Sequence, residues 1–427
     1  MSIDSGITLP FTLFEPGRYA VQSNHALADK VQSALKKGKG VAADVRPVDE
    51  LCGLRTRDDV PPLDLLLALG RLTSALPGLH RIGVGGLPGL SALRTASRWA
   101  IIRYLWAFSD HRPDLRLSGL TDEVRFHQRT LLSESFGIAL TADLIERYIL
   151  PGSTRVVDAD AVNYDPVLAI DMAGLASHKP DYFWYRESEN RLSEVVVVEV
   201  KGTTSGTGRC IEQIARGVEQ VLVPARIHGV KMRRIVIGTE LRDRRLRAYA
   251  VEVAEPEEDV RRHAYEVVRS RERYRPIEAV NLQTERFAAE ADEADVTEES
   301  YYLDQVRLHA FAGLPFTGGS NSDELIRSVL SQREAVGADD LTFRVETTRM
   351  AAGDRVITIR TGVAEEFLSS SDAYRSEGST ERRVAYRRRH SGRSQRPIRS
   401  ESVEIGRDLA VVTAADGCML AVSFEDR

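Results

Sequence analysis

Cysteine is scarce in this chain of 427 residues: Cys52, Cys210 and Cys418 stand far apart, with no C-x-x-C pair. Three isolated thiols make neither an even disulfide framework nor a cysteine zinc site, and they fit a reducing, cytoplasmic setting. The nine histidines show no metal-ligand or triad spacing, and no G-x-S-x-G elbow or G-x-x-x-x-G-K-[ST] phosphate loop occurs. These absences set aside zinc hydrolases, serine or cysteine hydrolases of those types and P-loop ATPases. Long apolar runs are missing too. The most apolar stretch, Trp99 to Phe108, is interrupted by Arg103, so no membrane span is expected. Met1 to Ala20 lacks a charged region followed by an apolar one, so no signal peptide is expected. Internal repeats and coiled-coil heptads are absent. Lysine is also rare, with 7 among the 58 basic residues, so arginine is the default base here.

What is present is ordinary in bulk: hydrophobic content of 42% and charged content of 28% suit a globular protein of two or three domains. The informative feature is local. Pro180-Asp181 precedes an apolar run, Val195-Val196-Val197-Val198, that ends in Glu199-Val200-Lys201. Ionisable groups at the end of a buried strand are costly unless a partner or a metal compensates them. Alternation along a strand puts Glu199 and Lys201 on one face and Val200 on the other. The polar stretch from Glu187 to Arg191 predicts a hairpin tip near Glu189 or Asn190, which folds Asp181 back to within about a residue of Glu199. Two carboxylates suit Mg²⁺, a hard ion commonly held by one or two carboxylates with water. A surface ion pair between Glu199 and Lys201 is the plainer alternative.

The arrangement resembles the PD-(D/E)xK nuclease superfamily, with Pro180-Asp181 as the first half of its signature and Glu199-Val200-Lys201 as the second. The resemblance covers about residues 121–254. It implies an α/β fold with a restriction-endonuclease-like αβββαβ core. By the same resemblance Asp181 and Glu199 hold Mg²⁺, with Mn²⁺ as a substitute, the Val200 carbonyl adds a ligand, and Lys201 acts on the nucleophile. The superfamily often sets a glutamate on the helix before its first core strand, and Glu134 matches it, although Glu134 equally reads as a surface residue. A glutamine on the helix after the E-x-K strand lies by the site in several branches. Gln213 matches that residue and equally fits a solvated helix face. Asp171 is a reserve ligand, while Asp158, Asp160 and Asp165 read as a looser acidic group.

Around this core the pattern predicts a helix from Thr121 to a stop at Gly137 and a first core strand over Pro166 to Met172. A polar loop from Gly202 to Gly208 follows, then a helix over Arg209 to Leu222 and strands at Arg234–Gly238 and Leu246–Val251. The organisation expected is a mainly helical N-terminal region over 1–118 and a nuclease-like core over 119–255. A helical segment with an acidic linker occupies 256–335, including a helix over 322–335, and a small β-rich module occupies 336–427.

Net charge is -5, so any nucleic-acid contact must come from local distribution. Arg382 to Arg399 contains eight arginines, among them Arg382, Arg383, Arg387, Arg388, Arg389 and Arg393, and reads either as a phosphate-contacting segment or as a solvated loop. Together these features imply a metal-dependent nuclease, a DNA endonuclease of a restriction or phage-defence system. Its partners would be nucleic acid, a separate helicase or ATPase subunit and a second copy of itself, with no membrane. The other reading is a non-catalytic nucleic-acid-binding or scaffold protein that keeps a nuclease-like fold.

Overall fold

The computed structural model describes residues 16–38, 41–73, 100–109, 113–122, 126–151, 155–159, 179–188, 191–224, 229–272, 334–338, 341–352, 355–364, 403–404, 409–413 and 418–426, with residues 13, 162, 168 and 227. It is a mixed α/β structure.

The larger sheet grows from the valine run. Strand β5 (Tyr182–Ser188) and strand β6 (Arg191–Thr203) form the expected antiparallel hairpin, with Tyr182 opposite Val198 and Ser188 opposite Arg191. Valines on both faces of β6 are fully buried, as befits a strand covered on two sides. Val196, Val198 and Val200 face one core with helix α3 (Phe126–Leu144), while Val195 and Val197 face another with helix α4 (Thr207–Leu222). Helix α4 then crosses over to strand β7 (Lys231–Arg242), which runs parallel to β6. Strand β4 (Arg155–Asp158) pairs with β5 on the outer side, and strand β8 (Arg245–Val253) returns antiparallel along β7. Among the described residues the order from α3 through β7 is therefore helix, three strands, helix, strand.

Several boundaries differ from expectation. The stretch 1–118 also contributes strands, β1 (Gly17–Gln22), β2 (Val45–Pro47) and β3 (Thr56–Val60), which join the same eight-stranded sheet as the core. They accompany helices α1 (His25–Lys37) and α2 (Pro62–Thr73). The sheet order is β3-β1-β8-β7-β6-β5-β4, with β2 also on β8. Helix α3 begins at Phe126 rather than Thr121 and runs through Gly137. Gly137 serves packing instead of termination: a Cβ there would lie 3.0 Å from Val200 Cγ1. The first core strand is Arg155–Asp158, whereas the stretch expected, Pro166 to Met172, lies outside the described residues except for Leu168. Gly202 belongs to β6, not to a loop.

Helix α5 (Glu258–Glu272) follows as expected. The end of the helix expected over 322–335 is instead strand β9 (Glu334–Ala338). It belongs to a second, antiparallel sheet with β10 (Leu341–Ala352), β11 (Arg355–Ala364), β12 (Val403–Glu404), β13 (Leu409–Thr413) and β14 (Cys418–Asp426), in the order β12-β13-β14-β11-β10-β9. Arg382, Arg383, Arg387, Arg388, Arg389 and Arg393 lie outside the described residues, as do Asp160, Asp165, Asp171 and the acidic tract from Glu290 to Glu299.

Candidate active site

The register of the β5–β6 hairpin places Asp181 directly before Tyr182, level with Glu199. Its backbone is clamped on both sides: the Asp181 amide donates to the Val198 carbonyl at 3.0 Å, and its carbonyl accepts from the Ala159 amide at 3.0 Å. The carboxylate is oriented as well, since Asp181 Oδ2 accepts the Val200 amide proton at 2.7 Å. A carboxylate that caps the strand bearing E-x-K cannot drift from it.

Glu199 and Lys201 share the face that α4 covers. Both pack beneath Gly217, where a Cβ would come 2.9 Å from Glu199 Cγ and 3.6 Å from Lys201 Cε. Glu199 is 0% exposed; one carboxyl oxygen accepts from the Lys201 ammonium and the other, Oε2, is buried without a hydrogen-bond partner. Burial first, then the negative charge of Asp181, push the Glu199 carboxyl well above the usual range, and Lys201 opposes the shift. The Lys201 side chain keeps 25% of its surface exposed. Burial acts to lower its pKa, but the Glu199 and Asp181 carboxylates outweigh that and hold the ammonium above its ordinary value.

Gln213 lies one helical turn before Gly217, on the same face of α4, and its Oε1 is buried without a partner. Gln220, two residues short of the end of that helix, is buried and donates to the Lys179 carbonyl at 3.0 Å, which fixes the approach to Pro180-Asp181. Arg216, on the turn between them, is exposed.

Glu134 enters from the opposite layer. Gly202 lets α3 close onto β6, because a Cβ at 202 would collide with the Ser133 carbonyl and come within 2.7 Å of the Glu134 amide nitrogen. Glu134 is exposed at the surface, yet partial desolvation and then the Asp181 charge raise its carboxyl, with Lys201 acting against them. Three carboxyl groups thus share one field with a single ammonium.

Sequence reasoning placed Asp181, Glu199, Lys201, Gln213, Val200 and Glu134, and the fold gathers all six around one end of β6. It missed the glycines that make this possible, Gly202 and Gly217, and Gln220. It also missed Glu240, which pairs with Thr203 across the β6–β7 ladder and is 0% exposed. Tyr249 and Thr207 donate to Glu240 Oε2 at 2.6 and 2.9 Å. A glutamate closing the apolar run Ile235-Val236-Ile237 was its readable signal.

The donor set fits a hard divalent cation. Asp181 and Glu199 supply two carboxyl groups close enough that, after burial, the Asp181 charge raises the Glu199 carboxyl, and a cation held between them would relieve that repulsion. Among the described residues no three His, Cys, Asp or Glu side chains stand in a ligating group, so this fit rests on two carboxyl groups. No family model, curated protein or solved structure matches this chain.

Proposed function

We propose that the chain is a Mg²⁺-dependent phosphodiesterase of the PD-(D/E)xK type, a nuclease acting on DNA in a restriction or phage-defence setting. The observation that carries this reading is the convergence of Asp181, Glu199 and Lys201 at the end of one buried strand, with an acceptor oxygen of Glu199 left unsatisfied. A stable core has no need of such a group, and perturbed carboxyls grouped with a lysine are a functional signature.

In this mechanism Asp181 and Glu199 would hold the ion, and the Val200 carbonyl and Glu134 would be available as further oxygen ligands. When bound, Mg²⁺ lowers the pKa of a coordinated water and neutralises charge on the phosphate. The Val200 amide keeps Asp181 turned toward the site. Lys201, held protonated by its carboxylate neighbours, donates to the attacking water or to a phosphate oxygen as negative charge grows there. Gln213 orients that water from α4 through its amide. The partners that suit this reading are DNA, a separate helicase or ATPase subunit and a second copy of the chain, in the cytoplasm.

One observation favours a second reading, a nucleic-acid-binding protein that has kept the fold without the chemistry: Glu199 already has a partner in Lys201. Cleavage assays with Mg²⁺ or Mn²⁺ on single-stranded DNA, duplex DNA and RNA decide between them. Cleavage is expected for the wild type and lost in Lys201→Ala and Asp181→Ala, both still folded. Metal-dependent cleavage that survives both changes removes this site from the reaction, and wild type inert on every substrate leaves the binding reading.

A further inference from the structure

Beside the E-x-K strand lies a cavity of about 550 Å³ that the mechanism above does not use. It is lined by Arg116, Arg129, Arg242 and Arg244, with Thr204 and, as the one acid among the described lining residues, Asp243. Thr204 is three residues past Lys201, about 10 Å of extended chain. The arginines converge from separate parts of the chain. Arg129 stands on α3 one turn before Ser133-Glu134, Arg242 ends β7, Arg244 lies in the β7–β8 turn, and Arg116 is brought in by pairing of its segment with that turn, where the Leu117 amide donates to the Arg244 carbonyl at 2.7 Å.

Two details mark the cavity as built for an anion. Arg116 Nε is buried without a hydrogen-bond partner, an unspent donor at the cavity wall. The β7–β8 connection is a two-residue turn between Arg242 and Arg245, in which Asp243 and Arg244 both take positive φ, 52° and 60°. Such a turn favours asparagine and glycine, and an arginine there accepts backbone strain. The strain projects the Arg244 guanidinium over Gly119, where a Cβ would meet it at 3.3 Å. Arg242 reaches the other way, 3.6 Å from the Cβ position of Gly206 at the start of α4. Its one ion pair, with Asp243 at 3.8 Å, is exposed on both sides and worth little.

The geometry points to a binding cleft for the phosphodiester backbone of one unpaired polynucleotide strand, entered next to the cleavage site. This rests on the nuclease reading for its purpose, though not for its test. A volume of this order takes one or two nucleotide units and not the width of a duplex. The distance from Lys201 corresponds to about one to two phosphates along an extended unpaired strand. Guanidinium groups grip phosphate bidentately without reading bases, so the cleft confers strand choice and register, not sequence preference.

The test is binding of short single-stranded DNA and RNA, and of blunt duplex, to full-length Lys201→Ala protein without divalent metal, over a range of salt. Adding Arg129→Gln, Arg242→Gln and Arg244→Gln should weaken single-strand binding at least tenfold and flatten the log–log salt slope by about two. All three side chains are exposed at the surface, so the triple variant should stay folded, with thermal unfolding lowered by a few degrees at most. Arg244→Gly is the second variant: it relieves the positive φ, so the protein should be no less stable while still binding the strand more weakly. An unchanged slope in the triple variant overturns the cleft. So does competition by a free mononucleotide at equal phosphate concentration, and equal weakening on blunt duplex overturns the assignment to an unpaired strand. Loss of binding in the triple variant alongside a wild type that never cleaves sinks the nuclease reading alone. A cleaving wild type whose triple variant binds normally sinks the cleft alone.

Discussion

Gly202 and Ser133 touch through their backbones, with no room for a side chain between strand β6 and helix α3. This contact sets the depth at which Glu134 approaches Asp181, so it governs both stability and the site.

Gly202→Ala should therefore cost about 1–3 kcal/mol in urea unfolding, because the helix must lift from the strand. Gly208→Ala is the matched control. Nothing lies within 4 Å of its Cβ position, in the first turn of α4, so it should be neutral or stabilise by up to about 1 kcal/mol. Equal effects of the two changes would contradict the packing described.

Mg²⁺ should raise the melting temperature of the wild type in proportion to the logarithm of its concentration once above the dissociation constant. Asp181→Ala removes one of the two carboxylates, and its melting temperature should not respond to Mg²⁺ at the same concentrations. A response of equal size in the variant would place the ion elsewhere.

Arg233 donates to Glu50 at 2.7 and 2.8 Å and to Glu252 at 3.2 and 2.8 Å, joining the turn after β2 to strands β7 and β8. Burial acts to raise the Glu50 carboxyl, but its hydrogen bonds from Arg233 prevail and lower it below 4.5. A depressed carboxyl contributes stability above its unfolded pKa and loses it as pH falls through the folded value. Glu50→Gln should thus be less stable than wild type by roughly 1 kcal/mol at pH 7, the site being partly open to solvent, and the gap should close as the pH falls from the unfolded carboxylate range through the lowered folded value. A gap independent of pH would mean that the carboxylate charge is not what stabilises.

Cys210 is buried, with its sulfur against Gly238, and burial followed by the charge of Glu240 pushes its thiol up to about 12. It should stay a thiol and resist alkylation at pH 8, while exposed Cys52 reacts at once. Mass spectrometry after brief iodoacetamide treatment reads this directly. Rapid native labelling of Cys210 would show that α4 opens from the sheet.

The site was legible because its geometry is local: one hairpin brings Asp181 level with Glu199, and alternation alone settles that Lys201 shares its face. The N-terminal strands were not. Strand β3, Thr-Arg-Asp-Asp-Val, carries charge where a strand pattern should be apolar, and its Arg57 is buried only because Asp143, 86 residues away, accepts from it at 3.1 Å. Such a strand lies at the sheet edge, where charge is tolerated. Gly137 misled for a related reason. A glycine that ends helices by local preference is here kept within one by contact with Val200, which no window of sequence contains.

Strand β1 lies parallel to β8, pairing Ala20 with Arg247. During synthesis the N-terminal strand must wait for more than two hundred further residues before its neighbour exists, on the order of 10–45 s at ordinary elongation rates. Strand β8 follows the turn that carries Arg242 and Arg244, so the last strand to arrive completes the sheet and the arginine-lined cleft together. A nascent chain released short of β8 would hold the Asp181, Glu199 and Lys201 hairpin in a sheet still open along β7, with β1 and β2 left without the neighbour that both pair with.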